Sequence, residues 1–385
     1  MKSRIYILLP IIILLQTTTM TGCWNYREID KLTIVAGVAI DKGQNHKYQI
    51  TIETIEISGT QDAKPVSQQI SIEGDTIFDA VRNEISLTGK RLYWSHTKVV
   101  ILSKEIAKEG ILRVVDWFNR DSETRADVLL LVSKESKAKD IFKGNGTTDQ
   151  IKSFVLADML KSEKSLSKAP ITELWKFAND LETNGIVAIL PSVHLQKNNG
   201  HYSPQISGAA IFSRDKLIGF IDSEETKNML FALDEVKGGL LTLNGSSSKY
   251  STPISLEIFN SKTKKKPIIH NGKIDYKINI DTTVSLDEIG GSANILEVKK
   301  IKQLEQQAGY VLKHRVEKCI KHIQSSYGVD VFGFGKQLQK EEPKIWEQVA
   351  SRWNKGKFKD IKVNVNTKVH IKGSGMLSKP IQIGD

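Results

Sequence analysis

Residues 92–102 read Leu-Tyr-Trp-Ser-His-Thr-Lys-Val-Val-Ile-Leu, and residues 128–132 read Val-Leu-Leu-Leu-Val. The first stretch predicts a strand; the second, uninterrupted and apolar, predicts a buried one. Between them, Ile106 to Asn119 has the spacing of an amphipathic helix. Upstream, Val66, Gln68, Ile70 and Ile72 give a short strand. Ile77, Phe78, Val81 and Ile85 then mark a helix face that Asp75 or Thr76 opens as N-cap. Strand-helix-strand-helix-strand within about seventy residues is the pattern of crossover connections, hence a small sheet covered by helices.

Toward the N-terminus, Leu32 to Ile40 is a continuous apolar stretch ending at Asp41-Lys42-Gly43. Tyr48 to Ile52 alternates, and the phase then slips to Ile55 and Ile57. This predicts a hairpin whose second strand is bulged near Glu53. Gly59 to Pro65 is polar and loop-like. Downstream, Thr147 with Gln150 forms a capping box ahead of a helix through Leu160. A second helix spans Thr172 to Leu181 and carries Leu174, Trp175 and Phe177. A strand follows at Ile186 to Leu190, stopped by Pro191. One strand cannot build its own sheet, so Gly185 to Leu195 is expected to pair with the N-terminal hairpin. On that reading, residues 24–62 with 137–200 form a discontinuous N-terminal α/β domain, and 63–136 is an inserted β-α-β-α-β domain.

After Asn198-Asn-Gly200 the chain turns β-rich. Ile206 to Phe212 and Leu217 to Ile221 predict a hairpin across Arg214-Asp215. Ile254 to Phe259 and Pro267 to His270 lead to Asn271-Gly272, a strong hairpin signal, from which Lys273 to Leu286 returns as a long alternating strand. Ile295 to Tyr327 predicts one long helix, with Ile301, Leu304, Ala308, Leu312, Val316, Cys319, Ile320, Ile323 and Tyr327 on a single stripe. At about 1.5 Å per residue it extends roughly 45–50 Å, enough to brace a domain. Pro343, a favoured first helical residue, opens a short helix that buries Ile345, Trp346 and Val349, and Ile361 to Ile371 closes as a strand. The expected fold is α+β / α/β in three domains, each a mostly mixed β-sheet surrounded by helices. The last, 201–385, sets its amphipathic helix 295–327 against a sheet.

The 385 residues carry a formal charge of +11, with 39% apolar and 7% aromatic side chains, enough for real cores. Lys2 and Arg4 precede an apolar run from Ile5 to Leu15. At about 1.5 Å per helical residue that run reaches only half of a ~30 Å hydrocarbon layer, so residues 1–22 read as a signal peptide, not a permanent span. Met20-Thr21-Gly22-Cys23 resembles the lipobox of bacterial lipoproteins, with Met20 where Leu is usual and Thr21 where Ala or Ser is usual. The resemblance implies a cut before Cys23, which would carry an S-diacylglyceryl group and an N-acyl chain; two chains anchor stably. Trp24 would rest at the headgroups or fold back on the body. The other cysteine, Cys319, falls on the apolar stripe and is expected in the core. Basic charge near anionic lipid gains about 1 kcal/mol per Lys or Arg. No nucleic-acid motif is present, so that partner is not expected.

Chemistry is sparse. The eight histidines include no H-x-x-x-H pair, and no cysteine cluster has metal-ligand spacing. His314 and His322 read as solvent-facing. Phe332-Gly-Phe-Gly-Lys336 lacks phosphate-loop spacing and reads as a tight turn into a helix. Ser95 and His96, adjacent on a strand, would point to opposite faces and so form no dyad. A non-enzymatic protein without metal or cofactor, beyond covalent lipid, is expected. Lys262, Lys264, Lys265 and Lys266 read either as a solvated approach to a hairpin or as a lipid-facing patch.

Several segments together resemble the Ger(x)C lipoproteins, the C subunits of spore germinant receptors. They are Cys23-Trp-Asn-Tyr-Arg-Glu-Ile29, Leu32–Ile40 with Ala36-Gly37, Thr88-Gly-Lys-Arg-Leu-Tyr-Trp-Ser-His-Thr-Lys-Val99, and Asp116-Trp-Phe-Asn-Arg-Asp121 ahead of Arg125. Ser207-Gly-Ala-Ala-Ile-Phe212, Asp215-Lys-Leu-Ile-Gly219 and Asp330-Val-Phe-Gly-Phe-Gly335 before Pro343 and Trp346 continue the likeness. It implies a lipid-anchored subunit on the outer face of the inner spore membrane of a spore-forming bacterium, beside A and B subunits, needed for the response to nutrient germinants. It also implies three α/β domains. Arg27, Glu28, Arg91, Trp94, His96 and Lys98 are the candidate interface residues, with a buried ion pair or strand packing as the alternative role for each. Two other functions remain open: a lipid-anchored solute-binding protein that captures the germinant directly, and an envelope hydrolase.

Overall fold

Strand β1 (Leu32–Lys42) is buried at nearly every position because it has neighbours on both sides and helices or loops over both faces. The computed structural model describes residues 28–58, 64–143, 151–243, 253–289 and 298–373. In chain order β1 is followed by β2 (Tyr48–Ser58), β3 (Lys64–Gly74), α1 (Ile77–Thr88), β4 (Arg91–Tyr93), β5 (Val99–Leu102), α2 (Lys104–Glu109), α3 (Leu112–Arg120) and β6 (Leu129–Ser133). Then come α4 (Lys152–Ser162), α5 (Leu174–Glu182), β7 (Ile189–Asn198), β8 (His201–Ser213), β9 (Lys216–Ile221) and α6 (Ser223–Leu233). The remainder is β10 (Leu240–Leu243), β11 (Ile254–His270), β12 (Lys273–Ile289), α7 (Val298–His322), α8 (Phe334–Glu341), α9 (Pro343–Val349) and β13 (Val363–Gly373).

The described strands form two mixed sheets. The first runs β3-β2-β1-β5-β6-β7-β8-β9, with β4 also beside β1. Its centre, β1-β5-β6-β7, is parallel, and its flanks are antiparallel. Central parallel strands are covered on both faces. That is why every residue of β5 and β6 is buried. One face packs Val38, Ile52, Val100 and Leu130 under Ile77, Ile106, Val114 and Phe177 of α1, α2, α3 and α5. The other packs Ala39, Val99, Ile101 and Leu131 under Phe142, Leu156 and Leu160. The second sheet, β10-β11-β12-β13, sets Ile258, Ile278 and Val365 against the α7 stripe of Leu304, Ala308, Leu312, Val316 and Ile320. Ile189, Ala209 and Ile211 of the first sheet reach into that same core, so the two sheets share a packed seam. The class expected from the sequence, α+β with mixed sheets and a long C-terminal helix on a sheet, is the one observed. The helix ends in a π turn, Ile323–Tyr327.

Several finer expectations are corrected. Residues 63–136 are not a separate sheet, since β3, β5 and β6 lie in one sheet with β1, β2 and β7. The strand near Gly185 to Leu195 pairs with β6 and β8, not with the β1–β2 hairpin, because β6 presents the free parallel edge. That strand runs through Pro191, which sits at a bulge where a missing N–H is tolerated. Residues 200 and 201 fall at a hairpin turn joining β7 to β8, so the stretch 201–385 begins inside the first sheet. The bulge in the first hairpin lies in β1 at Ala36, opposite Glu53, and not in β2. Leu92 to Leu102 is interrupted by a 3-10 turn at Trp94–His96. The predicted helix Ile106–Asn119 is two helices, α2 and α3, broken at Gly110 with φ 126°. The Thr147 capping box lies outside the described residues.

Candidate functional site

The sequence-predicted residues near the N-terminus divide at the boundary of description. Residues 1–22, Cys23, Trp24 and Arg27 lie outside the described residues. Glu28 is half-buried and pairs with Lys31 at 2.5 Å across the short turn that enters β1. Leu32 is in parallel register with Arg91, and Ile34 with Tyr93. The chain therefore enters the body beside the start of β4.

Arg91, Trp94, His96 and Lys98 are held on one excursion between β4 and β5. Trp94 is not a surface residue. It is 3% exposed and packs edge-on against Trp117 at 5.1 Å and Phe118 at 5.8 Å, both on α3. The 3-10 turn carries this indole into the same core that Leu92 enters. Arg91 is exposed, 3.8 Å from Glu123. His96 is exposed beside the Tyr93 ring, 5.9 Å away. Lys98 is half-buried, its backbone N–H donating to Ala36 and its carbonyl accepting from Leu129. The Ser95 hydroxyl donates to the Glu123 carbonyl at 3.1 Å, which ties down the turn. Beside this turn, α1 exposes Phe78 under the Arg82 guanidinium; elsewhere on the body α3 and α5 expose Leu112 and Trp175. Sequence reading missed these exposed apolar residues, because their helical spacing placed Phe78 and Trp175 on core faces.

A larger concavity opens where the two sheets meet. The cleft, about 580 Å³, is lined by α5, the strand-entry segment before β7, the end of α6, β11 and α8. Its floor is apolar, from Ile186, Val187, Leu233 and Phe332. Its walls carry both signs of charge. Lys176 pairs with Glu235 at 2.8 Å, whereas Asp180 has no hydrogen bond or ion pair of its own among the described residues. Burial raises the Asp180 carboxyl, with Lys176 and Lys336 pulling the other way. The Lys265 amine donates to the Phe332 carbonyl at 2.6 Å, and burial pushes it below the ordinary lysine range.

The turn that forms one wall is organised by Asp330. Its carboxylate accepts from Phe332 N–H at 3.1 Å, Gly335 N–H at 2.7 Å and the Trp353 indole at 2.9 Å. Gly185 and Gly335 let two backbones meet: a Cβ on either would stand 2.4–2.6 Å from the other's main chain. Side chains there would break the approach that closes the cleft floor. The sequence singled out residues 332–336 only as a turn; the carboxylate two residues earlier is what builds it. Among the described residues no group of His, Cys, Asp and Glu could hold a metal ion, and no helix is long and apolar enough to cross a membrane. Cys319 is buried on α7, its thiol donating to the Glu225 carbonyl and pushed well up by burial.

Comparison with known proteins covers both halves of the chain. The family model described as spore germination protein N-terminal domain matches residues 25–195, and that described as spore germination B3/GerAC like, C-terminal, matches 207–375. Spore germination protein B3 of Bacillus subtilis is 26% identical over 87% of this chain and 89% of its own length. Spore germination protein KC of the same species is 23% identical over 97% of each chain, and spore germination protein YndF is 28% identical over 96% of this chain and 98% of its own. The crystal structure of the GerBC protein shares the fold, with a TM-score of 0.59 and 20% identity over 87% of this chain and 96% of that one. With both halves matched in order, the chain belongs to the Ger(x)C family of spore germination proteins.

Proposed function

We propose that this chain is the non-enzymatic, lipid-anchored subunit of a spore germinant receptor, held through Cys23 at the outer face of the inner spore membrane. There it supports the response to nutrient germinants through contacts with A and B subunits. The observation that carries this reading is the order of the sequence. An apolar run and Met20-Thr21-Gly22-Cys23 stand directly ahead of a body matched to germination proteins from residue 25 onward. Glu28, Arg91, His96 and Lys98, near the point where the chain enters that body, with the exposed Phe78, supply the contact surface. Cys23→Ala tests the anchor: the fold is expected to persist while membrane retention is lost and the germination response falls. Full response from that variant, or a native N-terminus without acyl groups in mass spectrometry, would overturn the reading.

A second reading, direct capture of the germinant, is favoured by the cleft. An apolar floor with convergent charges at a junction between structural units is the usual form of a small-molecule site. Calorimetry of residues 24–385 with candidate germinants separates the two, since tight binding by the isolated chain supports capture.

A further inference from the structure

The second sheet has one face on α7 and the core and another that points to solvent. On that outer face the register aligns three rows across β11, β12 and β13. Lys262 stands beside Asp281 and Lys368, Lys264 beside Asn279 and Asn366, and Lys266 beside Lys277 and Asn364. All nine side chains are exposed, so five lysines face one carboxylate. Asn366 and Asn279 hydrogen-bond to each other at 3.2 Å and form a neutral strip between the charged rows.

Two observations separate this face from an ordinary solvated one. Lysine on an edge strand guards against stray pairing, which accounts for Lys368 and for Lys262, Lys264 and Lys266, because β10 pairs only with Ile254–Glu257 of β11; Lys277, however, lies on β12, which has partners on both sides. Lys266 and Lys277 are also directly opposite each other. Like charges in that position destabilise a pair of strands, and a neutral polar residue would solvate the face without that cost. The face therefore spends stability on positive charge.

The composition also selects the occupant. Lysine is depleted in protein–protein contacts, which are built on aromatic residues, Met and Arg. As a point charge on a flexible stem, it suits phosphate without demanding a fixed geometry. The three rows span Lys262 to Lys266, on the order of 15 Å along the strands, room for several neighbouring phosphates. Four residues separate Cys23 from Glu28; fully extended they span roughly 15–18 Å between them. We propose that this face lies on the headgroups of an anionic bilayer. The inference rests on the anchored reading above, which brings the body within reach of the membrane, and it adds which side is turned down.

The test uses the full acylated chain in vesicles of phosphatidylcholine, with or without phosphatidylglycerol, carrying a headgroup energy-transfer acceptor. A fluorophore is placed at Lys266→Cys, with Tyr310→Cys on the exposed side of α7 as the control site. Transfer from position 266 is expected to rise in the anionic vesicles and fall back at about 0.5 M salt, where charge is screened within a few ångströms. It should also fall back in the combined variant K262Q/K264Q/K368Q, while position 310 stays unchanged. Equal transfer from 266 in both vesicle types overturns the proposal; a face reserved for an acidic protein would give that result. Failure of the chain to remain with neutral vesicles is a failure of the anchor alone. In that case direct binding to anionic vesicles still decides, with the triple variant expected to bind at least about tenfold more weakly and equal binding overturning the proposal.

Discussion

The indole N–H of Trp353 donates to the carboxylate of Asp330 at 2.9 Å, and neither residue is more than 1% exposed. A buried carboxylate without partners is costly, and here three N–H donors surround it. Through them Asp330 fixes the carbonyl of Phe332 that receives Lys265, and so shapes the wall of the cleft.

Trp353→Phe keeps most of the ring packing on Trp346 but removes one donor. The variant is expected to lose about 1.5–3 kcal/mol, the range for a hydrogen bond to a charged group, in chemical denaturation. A loss under about 0.5 kcal/mol would mean that the other donors suffice.

Glu53 plays a comparable part in the first sheet. It is fully buried on β2 and accepts from the N–H groups of Lys152 and Ser153 at the start of α4, and from the hydroxyls of Ser153 and Ser67. Gly37 on β1 faces the same helix start, and a Cβ there would lie 2.1 Å from Ser153 Oγ and 2.9 Å from Val99. Gly37→Ala is expected to cost about 1–3 kcal/mol through overpacking. Ser153→Gly in the same chain should recover part of that loss. Additive losses in this double-mutant cycle would contradict the contact.

What the sequence made legible follows from periodicity. The apolar runs of β1 and β6, the Asn271-Gly272 hairpin and the α7 stripe are all where their spacing puts them, because each is decided by local pattern. Helix α6 was missed, although Asp222 with Glu225 three residues on is a capping signal ahead of Met229 to Ala232. Strand partners were the main failure. A lone strand such as β7 carries no mark of which edge it joins, and the parallel edge of β6 decides that only in three dimensions. The cleft was illegible for the same reason, since Lys176 and Asp180, Glu235, Lys265 and Lys336 come from four separate segments.

The turn after β4 separates a packing residue from contact residues. Trp94→Ala is expected to cost about 3–5 kcal/mol, as deletion of a large buried ring does, and to lower the amount of protein in spores. His96→Ala should stay within about 0.5 kcal/mol of the parent, because the ring is exposed. If His96 contacts another subunit, that variant keeps normal abundance and still weakens the germination response. An unchanged response at normal abundance removes it from the interface.

Asp180 supplies a test in which pH sets the sign. Its carboxyl lies above the ordinary value of 3.8, burial being the largest cause. In the unfolded chain the group ionises in water near about 3.9, so between that point and the folded value the native state holds a proton that the unfolded state has released. Stability from this group is therefore present in acid and is lost as pH rises through the folded value. Asp180→Asn removes the charge and with it the loss. The variant should melt higher than the parent at pH 7, and the two should converge as pH is lowered toward 3.5. A parent more stable than the variant at pH 7 would mean that Lys176 and Lys336 outweigh burial, and the carboxylate would then count as a stabilising partner in the cleft.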